Sequence, residues 1–96
     1  MNDYTFKQAE ALVRYYFELH EREKIKNKMS PNKNYEIFND IFMQALNSLD
    51  DDAKEIIINE FENHYPRLWW QDYYSKTNYY MVKGRGMRVF LEKLRW

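Results

Sequence analysis

Residues 75–96 read SKTNYYMVKGRGMRVFLEKLRW, a stretch that opens on a serine suited to cap a helix and carries six Lys/Arg against one Asp/Glu. At helical spacing Tyr79, Val82, Gly86 and Phe90 share one face with Leu94 at its edge, while Thr77, Met81, Gly84, Arg85 and Arg88 lie opposite. This predicts a helix to Leu94 with an apolar buried face and a donor-rich free one. Residues 1–74 hold nine basic and fourteen acidic side chains, so the formal net charge of zero conceals a cationic end behind an acidic front. Such asymmetry points to a polyanionic partner. Gly84 and Gly86 each cost roughly 1 kcal/mol relative to Ala in a helix interior, so the helix is expected to kink, fray or become ordered only on its target.

Upstream of Ser75, the apolar-aromatic residues Leu68 to Tyr73 read as a short helix, and Pro66 ends the helix before it. That third helix runs from Asp51 to about Asn63, with Ile56, Ile57 and Phe61 on its core face. Its start is marked by Ser48 and Asp51, flanked by Asp50 and Asp52, carboxylates that suit free amides and a positive dipole end. A second helix begins near Asn34, where Tyr35, Phe38, Ile41, Phe42, Ala45, Leu46 and Leu49 make an apolar stripe. Residues 25–34 are polar, contain Ser30-Pro31-Asn32 and read as a loop. The first helix spans Thr5 to about Lys24, with Phe6, Ala9, Leu12, Val13, Tyr16 and Leu19 at core spacing. The expectation is one all-α domain over residues 1–96: a bundle of four to five helices, in which an N-terminal pair (1–48) packs over a C-terminal part (49–96).

With 96 residues there is material for one core, and 19% aromatic residues supply large apolar areas per side chain. Cysteine is absent, which removes disulfides and thiolate chemistry. No basic-apolar leader opens the chain, and its longest aliphatic run, Ile56 to Ile58, is far short of the about twenty residues that span a bilayer. A cytoplasmic protein with no membrane partner is expected. His20 and His64, read as a surface and a helix-end residue, lack motif partners, and Asp50 to Asp52 read as helix caps, so neither metal nor cofactor is expected. Without a nucleophile-base pair, HExxH or P-loop, no enzyme activity is expected either. Trp69, Trp70, Tyr73 and Tyr74 read as core residues of a helical protein, not as a stacking platform.

A short helix ending near Tyr73, a turn capped by Ser75 and a longer basic helix form the layout of a helix-turn-helix over about residues 67–94. The second helix of that motif offers its first turns to the major groove. At these residues the chain resembles region 4 of bacterial sigma factors and the related phage late-transcription regulators of the ArpU and RinA type. LDDDAKEIIINEF (residues 49–61) is similar to the family's first conserved helix. SKTNYYMVKGRGMRVFLEKL (residues 75–94) is similar to its recognition helix, with Ser75 as cap, Tyr79 and Val82 buried, and Met87 and Phe90 in place of leucines. The resemblance implies a DNA-binding transcription regulator in which Lys76, Thr77, Tyr80 and Met81 read bases while Asn78, Lys83, Arg85 and Arg88 approach phosphates of duplex DNA. A lone module with a modest basic patch binds duplex DNA weakly by charge alone, so a second copy docked through the N-terminal helix, or RNA polymerase, is expected as a further partner. The chain departs from the family at Asp52 and Ala53, where an arginine-glutamate pair is usual, and at Glu60 and Glu62, which removes the usual basis for a backbone contact from the third helix. The competing expectation is a helical protein-protein module that has kept the scaffold and lost DNA reading.

Overall fold

A computed structural model describes residues 4–94; Arg95 and Trp96, the last residues of the cationic stretch, lie outside the described residues. The described residues form four α-helices, α1 (Phe6–Met29), α2 (Lys33–Asn47), α3 (Asp51–Ile57) and α4 (Lys76–Lys93), with a π-helical turn at Ile58–Glu62 and a 3-10 turn at Trp69–Asp72. No strand occurs among the described residues. The fold is therefore an all-α bundle.

Each helix begins where a side chain satisfies its free amides. Thr5 and Gln8 form a reciprocal capping box at α1, and Asn32, Asp50 and Ser75 accept from the amides of Asn34, Ala53 and Asn78 at the starts of α2, α3 and α4. Helix α1 is longer than the apolar pattern predicts. Residues 24–28 contain no breaker, Lys26 and Lys28 complement the negative end of the dipole, and only Ser30-Pro31 halts the run, so the expected ten-residue loop shrinks to residues 30–32.

The third helix departs from expectation at its end. After Ile57 the backbone widens into a π turn, closed by Asn63 N–H donating to the Ile58 carbonyl at 2.9 Å, and His64 takes the left-handed conformation at φ 53°. Termination thus falls at His64, before Pro66 is reached. The short helix expected at Leu68 to Tyr73 is a single 3-10 turn of four residues, Trp69–Asp72.

One aromatic residue from each principal element meets at the centre. Phe17 of α1 lies 4.9 Å from Phe42 of α2, 5.7 Å from Phe61 of the π turn and 5.5 Å from Phe90 of α4, ring centre to ring centre. Phe42 and Phe90 are edge to face at 5.3 Å. His20 is part of this packing and not the surface residue expected: its ring stacks on Phe42 at 4.1 Å and its Nε2 pairs with Asn39 Oδ1 at 2.8 Å. Helix α4 touches α1, α2 and α3, so the most cationic segment is also the bundle's central strut.

Gly86 lets it take that position. A Cβ on Gly86 would lie 2.9 Å from the Cβ of Ala53 on α3, whereas one on Gly84 would meet the flexible end of Arg88 at 2.9 Å and the Phe6 ring only at 3.4 Å. Close approach is what Gly86 provides, and α4 runs unbroken through both glycines, against the expected kink. Gly84, placed on the free face by spacing alone, is buried.

Candidate nucleic-acid interface

The start of α4 is held from behind. Tyr79 points inward and stacks on Trp70 at 4.4 Å and 11°, while Tyr74, in the preceding turn, donates its hydroxyl to Glu55 Oε1 of α3 at 3.0 Å. Partial burial, then the Glu55 bond, pushes the Tyr74 hydroxyl from its ordinary 10 up to about 12. The Tyr79 hydroxyl donates to Glu60 and is pushed upward by burial and by that carboxylate. These contacts fix the axis and rotation of the helix at the end where it is most exposed.

On the outer side Lys76, Thr77, Asn78, Tyr80 and Met81 are all exposed, as expected of base and phosphate contacts. Tyr80 is half-covered by rings: Phe6 at 5.6 Å and Trp70 at 6.1 Å. Trp70 is buried and Trp69 and Tyr74 are part-buried, whereas Tyr73, also read as core, stands 73% exposed. Tyr73 follows the 3-10 turn, of which Trp70 alone is buried.

Lys83 is a correction. Expected beside phosphates, it is 4% exposed, and its Nζ donates to Glu10 Oε2 and Glu60 Oε1, each at 2.6 Å, and to the Tyr79 hydroxyl at 3.4 Å. Trp69 Nε1 donates to the other oxygen of Glu60 at 3.2 Å. Lys83 is one hundred degrees from Val82 but only about forty from Tyr79, so it lies on the buried face of α4. Sequence reasoning missed this network. Its carboxylates come from 73 and 23 residues away, a separation that no local spacing reveals. Glu60, which stood out as a departure from the family, is the acceptor that three donors share.

Arg85 and Arg88 are also less available than expected. Arg85 Nη2 lies 2.6 Å from Asp50 Oδ2 at the start of α3. The Asp50 carboxyl is held below its ordinary range by the Ala53 amide first and the Arg85 charge second. Arg88 is part-buried across Gly84, with its Nη2 3.4 Å from the Tyr4 carbonyl. The structure thus brings Lys76, Thr77, Asn78, Tyr80 and Met81 together on an open surface, pairs Arg85 at its edge, and withdraws Lys83.

Among the described residues, no group of three or more His, Asp or Glu is arranged to hold a metal ion, and no helix is long and apolar enough to cross a membrane. Comparison with protein-family models, characterised proteins and solved structures finds no match to this chain.

Proposed function

We propose that the chain is a non-catalytic DNA-binding transcription regulator of the sigma-region-4 kind, acting in the cytoplasm, with α3, the intervening turns and α4 serving as its helix-turn-helix. The observation that carries the reading is the exposed set Lys76, Thr77, Tyr80 and Met81 on the first two turns of a helix whose opposite side is clamped by Trp70, Glu60 and Glu55. A rigid helix start with ammonium, hydroxyl, phenol and thioether groups suits a groove floor of acceptors and thymine methyls. With Lys83 withdrawn and Arg85 paired, charge attraction from a single copy is weak. A second copy or RNA polymerase then supplies the remaining affinity, and the exposed Tyr15, Ile25 and Met29 of α1 suit a protein contact.

The test is fluorescence anisotropy on duplex fragments across a salt series. The expected result is binding that weakens with salt, and a Lys76→Glu/Met81→Glu variant that loses it while keeping its helical spectrum. The protein-interaction reading, favoured by the Arg85–Asp50 pair, predicts no duplex binding at low salt and self-association that responds to changes at Ile25 and Met29.

A further inference from the structure

Beside the outer face of α4, a half-open cleft of ≈ 560 Å³ lies between the start of α1, the π turn, residues 65–70 and α4. Its volume falls within the ordinary range for small-molecule sites. Two aromatic groups line it. Tyr65 and Trp69, edge to face at 5.7 Å, come from the loop, and Tyr80, with Phe6 and Trp70 around it, comes from the helix side. Glu60 joins the groups at the floor, since its Oε2 accepts from both Trp69 Nε1 and the Tyr79 hydroxyl. The floor carboxylates, Glu60 and Glu10, already share Lys83.

The remaining charge in the lining is positive. Lys7, Arg14 and Arg67 contribute to it, and none is paired with a carboxylate among the described residues. Exposed tyrosine rings and a part-buried tryptophan under a cationic lining match a ligand that is flat and aromatic at one end and anionic at the other. We infer that this cleft binds a nucleotide, its base against Tyr65, Trp69 and Tyr80 and its phosphate toward Lys7, Arg14 and Arg67. The chemistry is shared by a free mononucleotide and by an unpaired nucleotide of a strand. Duplex reading by the start of α4 is not required for it.

The test follows the indole N–H of Trp69 by NMR in the full chain, titrated in turn with AMP, adenosine, inorganic phosphate and a single-stranded thymidine hexanucleotide. Saturable shifts are expected with AMP, and affinity at least about tenfold lower for adenosine and for phosphate alone, because each keeps only half of the recognition. Arg67→Glu, on an exposed loop residue, is expected to weaken AMP binding by about tenfold or more with an unchanged helical spectrum. Tighter binding of the hexanucleotide than of AMP assigns the cleft to an unpaired strand; AMP binding without it assigns the cleft to a free nucleotide. No shift with AMP or the hexanucleotide up to about 10 mM, or shifts as strong with adenosine and phosphate as with AMP, overturns the inference.

Discussion

Two cations two residues apart on α4, Lys83 and Arg85, meet their carboxylates at the same 2.6 Å separation, and they differ in nearly everything else. Lys83 meets Glu10 and Glu60 with side-chain exposures of 5%, 29% and 15%, whereas Arg85 meets Asp50 at 49% and 54%. Water screens the outer pair, and its long side chain gives up entropy to hold one geometry, so it adds little. The inner set is different: three charges and two further donors are mutually committed, and removing the cation leaves carboxylates without compensation in a confined place. Burial, and not distance, decides which cation belongs to the fold and which stays available for a partner.

The largest effect expected from that contrast is on Lys83. Lys83→Met should cost about 3–5 kcal/mol in urea unfolding, and adding Glu60→Gln should return part of it; a loss no greater than that of Arg85→Ala would erase the distinction between the pairs. Next come the two glycines of α4, of which Gly86 lets it sit centrally. Gly86→Ala drives a methyl against Ala53 and should cost about 1–3 kcal/mol, beyond what better helix propensity restores. Gly84→Ala meets chiefly the far end of the Arg88 side chain and should be neutral or stabilising by up to about 1 kcal/mol. At the outer pair, Asp50→Ala removes a cap and should cost about 1 kcal/mol in thermal unfolding, whereas Asp50→Asn keeps the cap. If α4 reads duplex DNA, Asp50→Asn also frees Arg85 and steepens the salt dependence of binding by about one phosphate contact.

The smallest effect is alkaline. Tyr74 holds its proton more tightly folded than unfolded, so its contribution to stability is whole below pH 10 and is lost as pH rises from there to about 12. Tyr74→Phe should flatten the fall in melting temperature over that window, as followed by circular dichroism.

Most of the scaffold could be read directly. The cap at Ser75 and the Asp50 cluster act on their own neighbours, although Ser48, read with Asp51 as the start of the third helix, instead ends α2 and donates to the Ala45 carbonyl while Asp50 is the cap. The stripes through Phe38, Phe42 and Leu46 or Tyr79, Val82 and Phe90 repeat at helical period, so local rules reach them. What escaped depends on contacts made across the bundle. Gly86 reads as a helix defect until Ala53 is seen against it, and Lys83 reads as a phosphate ligand until Glu10 and Glu60 are brought to it. The π turn escaped for a related reason: Ile58 to Glu62 has no breaker, and its backbone is set by packing Phe61 into the centre. The exposed start of α4 was legible because exposure there needs only a cap and an inward Tyr79.

The bond from Lys83 back to Glu10 spans 73 residues, so the parts it joins meet late in synthesis. Helices α1 and α2 leave the ribosome before the segment that covers their inward faces, and α3 follows without the helix it packs against. Phe17, Phe42 and Phe61 pack without Phe90 until residues 76–94 emerge and bring it among them. A premature stop upstream of α4 is expected to yield a product whose core lacks Met87, Phe90 and Leu91.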